Sequence, residues 1–292
     1  MSKDAIEQAK RQASIKKSKQ AIGFIVRLIL GIVFISPLLI GFIFSFQPEA
    51  NISILPPLGT LFKDATLWNY QRILDRTLPG SIDIVRFSLN SLIVCAIVIC
   101  AQLLVASLTA YSLTFFQYKG KGFFFSIILI AMMIPGQVTT LSNFLMVQKL
   151  KLLNTHIGLA LPYLICGAAV FMMRQYYMTI PKDLKGAADI DGCSDMGFLF
   201  RIILPNSVPT LISLGIYLFV DTYNQYFWPL LVVQRQEMFT VQIGMNMLID
   251  SETTAYTKIL AGAILALLLP MVTFIIGQDY MIKGMADGAI KE

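Results

Sequence analysis

Lys182-Asp-Leu-Lys-Gly-Ala-Ala-Asp-Ile-Asp-Gly-Cys-Ser-Asp-Met-Gly-Phe-Leu-Phe-Arg-Ile-Ile-Leu-Pro205 is the stretch that decides how this chain is read. It is the longest polar passage in the second half of the sequence. Apolar runs flank it, Gly158 to Met178 before and Val208 to Val220 after, each long enough to make most of a membrane-spanning helix. The polar segment must therefore lie in water on one side of a bilayer. Asp183 falls in a first helical turn, where a carboxylate favours the helix dipole. Ala187 and Ala188 are strongly helix-permitting, and Gly192 breaks the run. A second short stretch, Met196 to Leu204, stops at Pro205. The pattern predicts two short helices joined near Gly192, with a small-residue face that another protein's surface can approach closely.

Composition agrees with a membrane setting. Hydrophobic residues make up 56% of the 292, and only 14% are charged, with a mean hydropathy of +0.70. Soluble domains carry about 25% charged residues, so this chain is too apolar to be coated by water. The net charge of +6 raises the question of nucleic acid, but its distribution answers it. Lys10, Arg11, Lys16, Lys17 and Lys19, then Lys119 and Lys121, gather at the ends of apolar runs, which is the topology signal of basic residues facing the cytoplasm. Three of the four cysteines (Cys95, Cys100, Cys166) fall in apolar runs and Cys193 in the polar segment, with no disulfide or metal spacing. His156 is the single histidine, placed in a loop, so no His- or Cys-built metal site is expected.

Six apolar runs are read as spans: Ile22 to Phe46, Ser88 to Leu113, Phe123 to Asn143 with a Pro135-Gly136 break, Gly158 to Met178, Val208 to about Trp228, and Ile259 to Ile276. The first is too long for the apolar core of a secretory signal and lacks a cleavage site. The predicted organisation is a basic cytoplasmic arm at 1–21, a six-span domain at 22–280 and a cytoplasmic tail at 281–292. The loop at 179–207 faces the cytoplasm in this reading, as do both termini. Between the first two spans, Pro56-Pro57-Leu-Gly59 breaks a long external loop, and a short amphipathic piece covers Leu67 to Leu74.

The fifth run carries polar side chains at helical spacing: Ser213, Tyr217, Asp221, Asn224, Gln225 and Trp228. On one continuous helix they would share a face. Polar groups at membrane depth face a bundle interior or a wet cavity. Hydroxyls, amides and aromatic faces suit a neutral polyhydroxylated solute. Two readings stay open: a border of a translocation path, or polar glue between helices. Tyr226, Phe227 and Trp228 also fit an interfacial aromatic belt. Asp221 stands nearly alone as an intramembrane charge, with Arg27, and is read as a hydrogen-bonded structural carboxylate rather than an ion relay. No Gly-x-x-x-x-Gly-Lys-[Ser/Thr] loop occurs, nor His-Glu-x-x-His or Gly-x-Ser-x-Gly. The chain is not expected to be an enzyme.

The run Lys185-Gly-Ala-Ala-Asp-Ile-Asp-Gly-Cys-Ser, ending in Ile-Ile-Leu-Pro205, resembles the coupling loop of membrane subunits from ATP-binding-cassette importers. The likeness is to the sugar-importing branch, whose consensus is roughly Glu-Ala-Ala-x-Ile-Asp-Gly-Ala followed by x-Leu-Pro. The consensus glutamate corresponds to Gly186 here. Further similar segments are Leu89-Asn-Ser-Leu92, Met132-Met-Ile-Pro-Gly136, Tyr223-Asn-Gln-Tyr-Phe-Trp-Pro-Leu230 and the tail from Gln278, which resembles the second permease of the maltose-type pair. The resemblance implies an all-α importer-permease fold with a cytoplasmic coupling helix. It implies ATPase-coupling roles for Gly186, Ala187, Ala188, Asp189, Asp191, Gly192 and Pro205. It implies a second, non-identical permease, two cytoplasmic ATP-binding subunits that hold the ATP and magnesium, and an external solute-binding protein. The expected cargo is a carbohydrate, an oligosaccharide or polyol, in a prokaryotic cell membrane. The alternatives are a permease for another solute such as glycerol phosphate, or an ion-coupled carrier.

Overall fold

In a computed structural model, the structure describes residues 3–48, 65–75, 82–249 and 256–289, with the backbone alone at 3–19 and 281–289. The Pro56–Gly59 break and the last three residues of the expected tail lie outside the described residues. Among the described residues the regular structure is entirely helical. Helices α1 (Lys3–Ser45) and α2 (Trp68–Leu74) precede the long α3 (Ile84–Phe115). Next come α4 (Lys121–Met132), α5 (Gly136–Lys149), α6 (His156–Ala160) and α7 (Gly167–Tyr177). The polar segment holds α8 (Asp183–Ile190), α9 (Asp195–Phe198) and α10 (Leu204–Asn206). The chain closes with α11 (Val208–Tyr223), α12 (Phe227–Val232), α13 (Val241–Ile249) and α14 (Tyr256–Ala289).

By length and composition, Gln20–Ser45, α3 and Tyr256–Tyr280 are each apolar enough to cross a membrane. Three further candidates are bent pairs: α4 with α5 at 92°, α6 and its 3₁₀ extension with α7 at 54°, and α9–α10 with α11 at 76°. Each overlaps one of the six runs read from the sequence, and the last bent pair also takes in Asp195–Asn206 from the expected loop at 179–207. The first bend sits at the expected Pro135-Gly136 break. The second was not expected. The run from Gly158 to Met178 is not one helix, because Leu161–Tyr163 tightens into a 3₁₀ turn around Pro162 and Cys166 is fully extended. Helix α1 runs without interruption from Lys3 through Pro37 to Ser45.

Pro205 does not end the helical stretch as the sequence suggested. The chain widens into a π-helical turn over Leu199–Ile203 and continues through Asn206. The Leu204 N–H reaches back five residues to the Leu199 carbonyl. Proline has no N–H and its ring collides with the carbonyl four residues earlier. A wider turn just before it relieves both problems. The actual break comes at Ser207, between Pro205 and Pro209.

The chain divides into two compact units. One comprises Met1–Arg72 with Ala255–Ile264, the other Ile73–Thr254 with Leu265–Glu292. In the first, the Asn69 amide donates to the carbonyls of Ser45 (2.8 Å) and Gln47 (2.9 Å). Its Oδ1 accepts from Thr257 Oγ1 at 3.2 Å. One buried side chain thus satisfies the frayed end of α1 and the start of α14.

In the second unit α3 is the spine, packed against α7 and α11. Toward its C-terminal end lies an aromatic-rich core of Tyr111, Tyr177, Phe198, Met173, Leu199 and Leu214. Toward the other end Val98, Leu159, Trp228 and Val232 pack together. Side-chain amides stitch this second end. Asn90 donates to the carbonyls of Glu237 (2.9 Å) and Phe239 (3.0 Å), while its Oδ1 lies 3.0 Å from His156 Nε2. His156 is therefore not a loop residue but the first residue of α6.

Candidate functional site

The polar segment folds into a two-helix knob. In α8 the apolar face is narrow. Ala188 is 4% exposed and packs in the core beneath, while Gly186, Ala187, Asp189 and Asp191 face outward. Ile190 is 88% exposed, an unusual position for a large aliphatic side chain unless another surface covers it. Asp191 caps α8, and Gly192 follows in the left-handed region at φ +73°. That turn lets the Cys193 N–H reach the Ala188 carbonyl at 2.9 Å and satisfy the helix end. Ser194 then caps α9, its side chain accepting from the Gly197 N–H at 3.1 Å.

Lys185 holds the two helices together. Its ammonium pairs with Asp189 one turn along α8 and with Asp195 Oδ1 at 2.9 Å across the Gly192 turn. It also stands 5.4 Å above the Phe198 ring. Hydrogen bonds donated to Asp189 and then Asp195 raise its pKa above the ordinary lysine range, so it is charged throughout physiological pH. Below the knob, Tyr111 Oη donates to the Asp195 carbonyl at 2.9 Å. Phe115 meets Phe198 edge-on at 5.4 Å between centroids. The knob is thus seated on the end of α3. Pro205 stands apart from this contact face, exposed on α10. Gly186, where the importer consensus has glutamate, is surrounded by open space.

The polar stripe expected on the fifth span does not lie on one helix. Helix α11 stops at Tyr223, Asn224 caps it, Gln225 lies in the connection, and Trp228 belongs to α12. The reason is local: residues 224–226 leave the helix, and Pro229 stands in the first turn of the next one. Trp228 is buried and donates Nε1–H to the Leu159 carbonyl at 3.1 Å. That makes it a core anchor, removed from both the stripe and an interfacial belt. Ser213 is also engaged, donating to the Pro209 carbonyl at 2.8 Å and lying 3.2 Å from the Tyr280 carbonyl. Tyr217, Asp221 and Asn224 remain as an exposed face of α11.

The fold adds residues from outside that run. Gln242 of α13 donates Nε2–H to Asn224 Oδ1 at 3.5 Å. Tyr163 stands within electrostatic range of Asp221. Its ring meets Trp228 edge-on, and its carbonyl accepts from Gln102 Nε2 at 2.6 Å.

The all-helical fold is shared with known proteins. The family described as the inner membrane component of binding-protein-dependent transport systems matches residues 102–286. The chain belongs to this family. The arabinooligosaccharides transport system permease protein AraQ of Halalkalibacterium halodurans is 37% identical over 176 residues, 60% of this chain and 63% of that protein. The chain therefore spans under two thirds of AraQ's length in that match. The sn-glycerol-3-phosphate transport system permease protein UgpE of Brucella melitensis is 30% identical over 273 residues, 91% of this chain and 95% of that protein. Among solved structures, a crystal structure of a bacterial ABC transporter involved in the import of the acidic polysaccharide alginate superposes with a TM-score of 0.75. The match has 19% identity and covers 90% of this chain and 97% of the other. That likeness concerns the fold.

In this family of importer permeases the sequence alone pointed to the knob, because its alanines, Asp-Gly pair and Leu-Pro lie close together in the chain. Nothing in the sequence signalled the roles of Tyr111, Phe198, Tyr163 and Gln242. Only the i,i+4 spacing of Lys185 and Asp189 could have flagged the ion bridge beforehand; its second acid, Asp195, needed the Gly192 turn.

Proposed function

We propose that this chain is one of two non-identical permease subunits of an ATP-driven importer for a carbohydrate, an oligosaccharide or polyol. The knob of α8 and α9 carries the reading. Its outer edge presents Ala187, Ile190 and Asp191 with nothing among the described residues covering them. Its inner edge is fixed to α3 through Ala188, Phe198 and Tyr111. A surface of that kind passes a push from outside directly into α3, the helix on which α7 and α11 pack.

The pushing partner is a cytoplasmic ATP-binding subunit, two per complex, which holds ATP and magnesium and hydrolyses the nucleotide. An extracytoplasmic binding protein hands over the solute. The ATPase drives alternating access only through differential binding to the inward- and outward-open states. On this reading the knob and both termini are cytoplasmic. The tail at 281–292 and the arm at 1–21 flank a permease body at 22–280.

Substituting Asp191 or Gly192 with a bulky residue tests the coupling role. The expected result is an assembled complex that hydrolyses ATP without importing solute; normal uptake in such variants would refute it. The AraQ likeness favours arabino-oligosaccharides as the cargo class to try first. Glycerol phosphate is the second reading, favoured by the UgpE match along 91% of the chain. Uptake by the reconstituted complex of a neutral pentose oligosaccharide and of glycerol phosphate separates them.

A further inference from the structure

Asp221 is the one charged side chain on α11, α12, α13 and the Leu161–Tyr163 turn. It lies on the exposed side of α11 between Tyr217 and Asn224, about one helical turn from each. A carboxylate turned to lipid is costly, so such groups face a bundle interior or a wet cavity. Around it stand groups that hydrogen-bond without carrying charge. Asn224 and Gln242 bring two amides together from separate helices. Tyr163 supplies a ring and a phenol near the carboxylate. Behind Tyr163, Gln102 gives its amide to the Tyr163 carbonyl, while its own Oε1 is buried with no partner among the described residues. Among the described residues, these elements are rich in acceptors and hold no lysine or arginine.

We propose that Asp221, with Tyr163, Asn224 and Gln242, forms a solute subsite that accepts uncharged, hydroxyl-bearing solutes and rejects anionic ones. The proposal rests on the importer reading above and narrows its cargo class. A carboxylate accepts hydrogen bonds from neighbouring hydroxyls of a sugar. The amides bond hydroxyls as donor and acceptor at once, and the Tyr163 ring offers an apolar platform. A phosphate ester brings only acceptors and negative charge to the same wall. It would meet the Asp221 carboxylate with no cation to offset the repulsion, which is discrimination through a repulsive element.

The test uses the complete importer complex in nanodiscs, without binding protein, trapped outward-open with vanadate. Saturation-transfer NMR reads binding of two probes, a neutral pentose trisaccharide and glycerol phosphate. Wild type should show transfer to the trisaccharide only. Asp221→Asn should keep the trisaccharide signal and admit glycerol phosphate, while Asn224→Leu should weaken the trisaccharide about tenfold. Equal binding of both probes by wild type, no binding of either, or unchanged rejection in Asp221→Asn would overturn the proposal. ATP-dependent uptake by the full system with its binding protein is measured in parallel. If wild type imports carbohydrate while the Asp221 substitution leaves charge selection unchanged, the subsite alone falls. If wild type imports no carbohydrate, the importer reading falls with it.

Discussion

Tyr111 Oη donates to the main-chain carbonyl of Asp195 at 2.9 Å, joining the last turns of α3 to the first residue of α9. The two residues are 84 positions apart. Tyr111 is fully buried and meets Phe116 edge-on at 5.4 Å and Phe198 at 6.3 Å. The knob is therefore tied to the end of α3 by a hydrogen bond and by ring packing.

Removing only the hydroxyl tests that tie. Tyr111→Phe keeps the ring packing and loses one hydrogen bond, worth about 1 kcal/mol. The expected outcome is a stably assembled permease with faster proteolytic cleavage within 179–207 and more ATP hydrolysed per solute imported. Tyr111→Ala leaves a cavity and should cost about 3–5 kcal/mol, lowering the amount of folded protein in the membrane.

Lys185→Met removes the bridge between α8 and α9 while retaining the aliphatic stem over Phe198. Asp189 and Asp195 are half-exposed, so each pair contributes only about 0.2–1 kcal/mol after solvent screening. The folded pKa of Lys185 is raised. Its stabilisation is thus complete below the unfolded lysine value of about 10.4 and fades only as pH rises through the higher folded value. The difference in knob protease resistance between wild type and Lys185→Met should be the same at pH 7 and pH 9. A difference that shrinks across that interval would show that another group supplies the effect.

Gly192 and Gly186 should respond oppositely to substitution. Both have open space around them, but only Gly192 has a positive φ. Gly192→Ala should cost about 1–2 kcal/mol, Gly192→Val more, and Gly192→Asn little. Gly186 lies within α8, where Gly186→Ala should stabilise by about 0.5–1 kcal/mol. Gly186→Glu restores the importer consensus and should tighten ATPase binding, measurable as subunit retention during purification.

Gly244 packs face to face with Phe87. A Cβ at position 244 would land on the Phe87 ring, which is wholly buried. Gly244→Ala should destabilise the seating of α13 on α3 by about 1–3 kcal/mol. Adding Phe87→Leu should recover part of the loss. A double-mutant cycle on thermal unfolding of the detergent-solubilised protein would show the coupling, and strict additivity would contradict the contact.

Much of the bundle was legible in the chain because its signals are local. Apolar runs of spanning length, the Pro135-Gly136 break, and the helix–glycine–helix pattern around Gly192 each occupy neighbouring residues. The misses share a cause. The stripe from Ser213 to Trp228 was read on an ideal helix, and the chain leaves the helix at Asn224. Pro205 was read as a stop, and a π-helical turn carries the chain past it.

The sequence by itself determined that this chain lives in a membrane, that it is built of helices, and that its long polar segment folds as short helical pieces joined at Gly192. Those follow from hydropathy and backbone preference, which each residue carries wherever it sits. Tertiary structure alone decided that Tyr111 anchors the knob, that Lys185 spans Asp189 and Asp195, and that Gln242 and Tyr163 come near Asn224 and Asp221. Such pairings depend on where helices cross and chains turn, and packing of distant side chains settles that.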